Sequence, residues 1–519
     1  MKKAEKIFAA FQTALCASII ACCIGAIFCL NLSVTPGFYT TDMYADVMAA
    51  VQMWEEKTLF PEKWVFGNQL YCFSTPVLAA ILYGITGNPF RSMGAAAFLM
   101  GLLVLASFDW MLRAAFPRLR DRLVGIAMLL VLPVLFGDAV LKMNGWQLLY
   151  TMCAYYACYC VTAFLAFGCY LRSRQAMPWK MLVPTCTLCF AMGIQSLRQT
   201  AVMILPLAAM EALSMAVRLV RKEKLLTGTL WTAAAVTAAN LMGVIAGKMV
   251  SVNQVTIFGE IGLAAPDHFA ANLWESLGCA VSLFYEDTEK GNVVYLTVLG
   301  AFALLCLIGV LRHEGDGSVR LPALLGLSVL AILGIDVVTT MQIRGIYYFM
   351  LYPLLACLSV FLYSKEGKGV KAIVLALLCA GFALSCQRSV EPALTQVKDR
   401  SLDIHCQIEK DLKRADITTV YSRWNGSERI AAAGHGSIRA GFWTNPEDPF
   451  IPVSYLCNPE IYEAAAEHAA YVFYTEEERQ AGVRKAEQAG IVLTPVCEYP
   501  QADISVYTAQ VNLLAFDFP

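Results

Sequence analysis

Two acids one helical turn apart head a polar stretch from Tyr39 to Pro76, YTTDMYADVMAAVQMWEEKTLFPEKWVFGNQLYCFSTP. At about 100° per residue, Asp42 and Asp46 fall about 40° apart on one flank of a helix. Met43, Val47, Ala50 and Trp54 gather on a separate face. Such a helix is expected to lie on a membrane surface, with its apolar side among headgroups and its acids turned to the flank. A third acid, Asp138, opens the segment GDAVLKMNGW, which also holds Lys142. Arg198 in GIQSLRQT and Arg344 in QIRGIYYFMLYP supply planar guanidinium forks that suit phosphate. Charged groups this close to hydrocarbon are expensive and need a partner or a purpose.

Each of these residues also has a purely structural reading. Thr41 can cap the helix, and an acid in its first turn favours the helix dipole. Asp138 can end a helix in water or pair with Lys142. Arg344 can pair with Asp336 or snorkel to the interface. Arg198 has no acid within a helical turn in sequence, which favours a functional reading there. Asn240 and Glu211 read as packing residues, and His268 as a surface residue.

The elements that must position these groups are membrane helices. The 519 residues are 58% hydrophobic and 15% charged, with a mean hydropathy of +0.57. A soluble domain of this length does not have that composition. Apolar runs of roughly 18 to 24 residues recur, each long enough to cross a bilayer. Spans are expected at 8–32, 92–113, 122–137, 146–171, 180–195, 199–217, 226–249, 291–311, 320–341, 345–363 and 370–387. The chain thus reads as an α-helical polytopic membrane protein with about eleven transmembrane helices. The segment 71–87 reads as re-entrant or interfacial, broken by Pro76 and by the Gly-Asn-Pro at 87–89.

One set of connections collects the basic residues: Lys2, Lys3 and Lys6; Arg113, Arg118, Arg120 and Arg122; Arg172, Arg174 and Lys180; Arg218, Arg221, Lys222 and Lys224; Arg312 and Arg320; Lys365, Lys368 and Lys371. The positive-inside rule makes this side cytoplasmic, together with the N-terminus. The run that follows MKKAEKIF reads as a retained first helix rather than a cleaved signal. With an odd number of spans, the first outer loop (33–91), the second long outer loop (250–290) and the tail (388–519) lie outside. The tail alternates charged helical patterns with β-prone runs, such as TTVYSRW, YVFY, IVLTPVCEY and ISVYTA. It is expected to form an extracytoplasmic α/β domain following a membrane domain of residues 1–387.

Most cysteines lie in apolar runs and act as small packing residues. No zinc or redox spacing is present, and Cys406, Cys457 and Cys497 in the tail define no disulfide. The NGS at 425–427 is a glycosylation acceptor pattern.

This layout resembles the GT-C superfamily of integral membrane glycosyltransferases, which includes the protein O-mannosyltransferases, the aminoarabinose transferases of lipid A and the oligosaccharyltransferases. The resemblance rests on the cytoplasmic N-terminus, the long first outer loop with an acid near its start, the acid after the third span and the outer terminal domain. GNQLYCFSTPVLAAILYGITGN, the SLR at 196–198 and the run from Arg344 to Pro353 are similar to family elements. No Asp-Glu pair like that of the mannosyltransferases and no WWDYG motif like that of the oligosaccharyltransferases is present. The resemblance implies transfer of a sugar from a polyprenyl-phosphate donor to an extracytoplasmic cell-envelope acceptor (glycan, lipid or protein) by inverting displacement. It implies Asp42 or Asp46 as base, and Asp138 as a supporting carboxylate or, with Asp46, a holder of a divalent metal ion. Arg198, Arg344 and Lys142 become phosphate ligands. The partners implied are the donor, membrane lipid and the acceptor; nucleic acid is not among them. A transporter or flippase for a lipid-linked saccharide and a non-enzymatic membrane scaffold are the alternatives.

The charge pattern generates a direct test. Cysteine-labelling or reporter fusions in intact cells should place the region after Ser385 outside the cell membrane and Lys6 inside it. A tail that reports from the cytoplasm would reverse the assignment.

Overall fold

The structure, a computed structural model, describes residues 2–33, 36–135, 145–255, 261–284, 317–398 and 403–515, with a few residues between 297 and 312. Its helices run in order α1 (Lys2–Leu32), α2 (Thr41–Glu55), α3 (Thr75–Thr86), α4 (Pro89–Leu112), α5 (Leu119–Val131), α6 (Ala157–Arg172), α7 (Trp179–Gln195), α8 (Leu205–Val220) and α9 (Gly228–Met249). Arg320–Val338, Leu351–Lys365 and Lys368–Ser385 follow. The chain forms two compact units. One holds Met1–Phe28, Leu99–Val250 and Phe258–Ala393; the other holds Cys29–Phe98, Ser251–Ile257 and Leu394–Pro519.

Among the described residues, seven helices are long and apolar enough to cross a membrane. They coincide with seven of the eleven expected spans. Three more expected spans are shorter helices: α5 with 13 residues, α6 with 16 and α7 with 17. The expected span 291–311 lies largely outside the described residues. The range 146–171 is corrected, because α6 starts only at Ala157. Residues 146–156 instead form a buried knot of turns, in which Tyr156 N–H donates to the Leu148 carbonyl at 2.8 Å and Met152 and Ala154 adopt positive φ. Hydropathy cannot separate such a knot from a helix, since both are apolar. Irregular backbone at this depth is tolerated when protein rather than lipid surrounds it.

In the first unit, small residues bring helices close. A Cβ on Gly193 of α7 would lie 2.2 Å from the Asn240 carbonyl oxygen of α9, and one on Gly243 would lie 2.0 Å from that of Phe190. Close backbone approach of this kind replaces the hydrophobic drive that lipid does not supply. Asn240 completes the crossing by donating to the Cys189 carbonyl at 3.2 Å and accepting from Thr200 at 3.0 Å. Glu211 accepts from Tyr170 at 2.6 Å and pairs with Arg218 at 2.8 Å. Both are packing residues, as read.

The second unit joins the first outer loop to the tail. The tail sheet has the order β2-β1-β3-β5-β4, from β1 (Thr419–Arg423), β2 (Arg439–Trp443), β3 (Ala469–Phe473), β4 (Thr494–Tyr499) and β5 (Ile504–Thr508). β1 is parallel to β2 and β3, whereas β5 is antiparallel to β3 and β4. Helices Ile404–Arg414 and Glu476–Gln488 form at the expected charged patterns. The run EIYEAAAEHAA makes two 3-10 turns instead of a helix, because its final alanines enter β3. β2 escapes the sequence reading because it is short and centred on Gly441. A Cβ there would lie 2.8 Å from the Tyr421 ring, so only glycine admits that ring beneath the strand. Cys406, Cys457 and Cys497 form no disulfide among the described residues.

α3 is too short to span a bilayer. Pro76 sits in its first turn, and Gly87 ends it with φ +65°. The expectation that α2 lies on the membrane with one face in the headgroups is corrected. Met43, Tyr44, Val47, Ala49, Ala50 and Met53 are all buried, because α3 and the tail cover the helix. Its cap is Thr40, which accepts from Met43 N–H, because the Thr41 hydroxyl is engaged elsewhere.

The seam between α2 and the tail is hydrogen-bonded and dry. Ala440 N–H donates to the Tyr44 hydroxyl at 2.8 Å, and Tyr44 packs edge-on to Phe442 at 5.9 Å. Tyr44→Phe leaves a buried N–H without a partner, which should cost about 1–3 kcal/mol of local protection in amide exchange at residue 440. Lys63→Ala breaks only the exposed ion pair with Glu460 and should leave that protection unchanged. Equal protection in wild type and Tyr44→Phe would remove the seam from the account of stability.

Candidate active site

Asp42 occupies the first turn of α2 and is half-buried. The residue before it anchors the helix start to the tail. Thr41 N–H donates to Asn425 Oδ1 at 3.1 Å, and Asn425 N–H donates to Thr41 Oγ1 at 2.7 Å. Asn425 accepts φ +65° to do this, a conformation asparagine tolerates better than most residues. The NGS pattern at 425–427 thus serves a structural contact.

Asp46 is 4% exposed, one turn further on. The Tyr71 hydroxyl donates to its Oδ1. Burial pushes the carboxyl up to about 7; the Tyr71 bond opposes the shift, and the Asp42 charge adds to it. In the tail, Glu428 is fully buried, and Arg429 Nε lies 3.7 Å from its Oε1. Burial pushes it up to about 7 as well, against its own backbone amide and Arg429.

Arg198 and Arg344 belong to the first unit. Ser196 adopts extended backbone and ends α7, and its hydroxyl accepts from Arg198 N–H at 3.2 Å. A π-turn, Thr200–Ile204, then leads into α8. Arg198 stands at this break, half-buried. Its guanidinium carbon lies 5.0 Å from the Tyr156 ring centroid, 5.6 Å from that of Tyr159 and 5.0 Å from that of Tyr347. Among the described residues it makes no ion pair. Arg344 caps the turn Gly345–Tyr348, and its Nε donates to Gln342 Oε1 at 3.0 Å. That turn carries Tyr347, so both arginines share one aromatic cluster. Asp336, which sequence offered as a partner for Arg344, accepts from the Tyr348 hydroxyl at 2.7 Å. His268 is exposed.

Asp138 and Lys142 lie outside the described residues. Among the described residues, no three His, Cys, Asp or Glu side chains gather as a metal site. Asp46 as found is a weak metal ligand, since its oxygen is capped by Tyr71 and its carboxyl holds its proton near neutrality.

No family model matches the sequence, and no curated protein matches it. Solved structures do. ArnT from Cupriavidus metallidurans in the apo state aligns over 99% of this chain and 99% of its own, with a TM-score of 0.53 and 11% identity. ArnT from the same organism bound to undecaprenyl phosphate aligns over 97% of this chain and 99% of its own, with a TM-score of 0.52 and 11% identity. An Archaeoglobus fulgidus oligosaccharyltransferase tethered to an acceptor peptide covers 93% of this chain and 69% of its own, with a TM-score of 0.45 and 11% identity.

The chain shares the fold of these ArnT structures over nearly its whole length. The residues around these groups that sequence reading missed are mostly tyrosines. Tyr71 bonds Asp46, and Tyr156, Tyr159 and Tyr347 surround Arg198. The three rings around Arg198 had a signal in their clustering, in YYACY and IYYF. Glu428 gave none, since an acid after Ser427 reads as an ordinary helix start.

The raised acids make stability depend on pH. Asp46 and Glu428 keep their protons in the folded chain near pH 6, where an unfolded chain has released them, from ordinary values of 3.8 and 4.5. The folded state therefore binds more protons between about pH 4 and pH 7, and stability falls as pH rises through that window. Each group contributes on the order of 3 kcal/mol. Thermal midpoints should fall from pH 5 to pH 8 in wild type. Asp46→Asn combined with Glu428→Gln should flatten the curve, and an unchanged slope would refute the assignment.

Proposed function

We propose that this protein is a membrane glycosyltransferase that moves a sugar from a polyprenyl-phosphate donor to an extracytoplasmic acceptor by inverting displacement. The observation that carries the reading is Arg198, a cation held among three tyrosine rings with no ion-pair partner among the described residues. Guanidinium stays charged at any physiological pH, so a partly desolvated Arg198 is balanced when an anion arrives. Its fork suits a phosphate oxygen pair, and Arg344 and the tyrosine hydroxyls offer further donors. The whole-length GT-C fold supports a lipid phosphate as that anion, since undecaprenyl phosphate is what ArnT of this fold is seen to bind.

In the proposed reaction Asp42 takes the proton from an acceptor hydroxyl. The hydroxyl oxygen attacks the anomeric carbon, and the bond from that carbon to the lipid phosphate oxygen breaks. The polyprenyl phosphate leaves with the electron pair, and its charge is stabilised by Arg198 and Arg344. Asp42 is assigned over Asp46 because it is half-exposed, whereas Asp46 is sealed under Tyr71. Asp138 and Lys142 are assigned to supporting and phosphate-binding roles. The reaction belongs on the outer face of the cell membrane, with the N-terminus in the cytoplasm.

Asp42→Asn should lower sugar transfer from a labelled polyprenyl-phosphate sugar at least about 100-fold, with undecaprenyl-phosphate binding retained. Arg198→Ala should weaken that binding about 10- to 100-fold, and Arg198→Lys should recover only part of it. Wild-type transfer by Asp42→Asn, or unchanged lipid-phosphate binding by Arg198→Ala, would overturn the respective role.

A further inference from the structure

The parallel strands β2, β1 and β3 end on one edge of the tail sheet, and open α/β sheets take ligands at that edge. Trp424 is the first residue past β1. Its ring packs at 5.4 Å and 31° against Tyr455 and at 5.8 Å against Phe442. Trp424 and Tyr455 are both half-buried, so neither is used up as core. The next residue, Asn425, is exposed and is the one that holds Thr41. That double bond fixes Asp42 beside the aromatic pair. Tyr455 senses the Asp42 charge directly: burial raises its hydroxyl, and the Asp42 carboxylate raises it further.

This juxtaposition has the chemistry of a sugar site. A pyranose presents a C–H face that carries partial positive charge and a rim of hydroxyls. The C–H face suits the negative face of an indole or phenol ring, and stacking there removes apolar surface from water. The rim needs donors and acceptors at the platform's edge. The Asn425 amide NH2 has no partner among the described residues, and Asp42 offers an acceptor.

We propose that Trp424 and Tyr455 form the platform on which the acceptor, a saccharide, stacks with a hydroxyl directed to Asp42. The proposal rests on the glycosyltransferase reading and names its acceptor class. Trp424 and Tyr455 are specificity residues, whereas Asp42 is the residue that meets the reacting hydroxyl. The apolar ring pair beside a single carboxylate favours a sugar ring over a peptide, which would need an array of backbone partners.

The test uses the full-length protein in detergent and saturation-transfer NMR with the methyl glycosides of glucose, galactose and mannose. At least one should receive saturation at its ring C–H protons. Trp424→Ala should cut that signal about fivefold, Trp424→Phe should retain most of it, and Trp231→Ala, on an exposed face of α9, should match wild type. In the transfer assay, Trp424→Ala should raise the acceptor KM about tenfold with kcat and undecaprenyl-phosphate binding unchanged. Retained signal in Trp424→Phe shows that the platform, and not the fold, is what alanine removes. No saturation in wild type, equal saturation in Trp424→Ala, or competition by peptides but not by glycosides would overturn the proposal. Absence of any sugar transfer by wild type would instead sink the glycosyltransferase reading, leaving the glycoside signal to be judged by itself.

Discussion

Thr41 and Asn425 exchange two hydrogen bonds although 384 residues separate them in the chain. Closing a loop of that length is entropically costly, though the cost grows only slowly with length. Two hydrogen bonds alone do not meet it. The Tyr44–Ala440 bond, the Tyr44–Phe442 contact and the apolar face of α2 add the rest. A tail attached this way is part of the core around α2. The loop could not keep its helix dry without it, because α2 buries residues around most of its circumference. The position of Asp42 therefore follows from where β1 ends, and a change in the tail sheet reaches the acid through one asparagine.

Asp46 and Glu428 meet burial differently from Arg198. Asp46 and Glu428 can escape the desolvation penalty by keeping a proton, and burial drives them to do so. Arg198 has no such escape. Its charge persists, and its ring neighbours supply only the attraction of π faces, roughly 0.5–2 kcal/mol each. Asp46 and Glu428 thus belong to a folded core, whereas Arg198 keeps a charge that its ring neighbours offset only in part.

Much of this was legible in the sequence. Hydropathy located the long helices because a bilayer fixes their length, and alternation located four of five tail strands. Arg198 stood out because no acid lay within a turn of it. The knot at 146–156 was illegible because hydropathy reports burial and not backbone geometry. Asp46 was misplaced because a helical wheel assumes one wet side, and α2 has almost none. Trp424, Tyr455 and Asn425 could not be connected to Asp42 from sequence, since only the tertiary seam brings residue 425 to residue 41. The Thr40 cap was missed for the same reason: Thr41 has the better-looking position but spends its hydroxyl on the tail.

Asp42 and Asp46 share a residue type, a helix and a flank, yet they cannot do the same work. Two carboxylates one turn apart repel when both ionise, so one must hold its proton or both must move apart. Burial in the surrounding apolar wall settles which one: Asp46 stays protonated to near neutrality, against the pull of the Tyr71 hydrogen bond. Its neutrality spares Asp42 a like charge one turn away. Asp46 therefore contributes through what it withholds. Replacing it with a permanently neutral side chain preserves that arrangement, whereas opening its pocket to water would ionise it and burden Asp42 with the neighbour that the fold now suppresses.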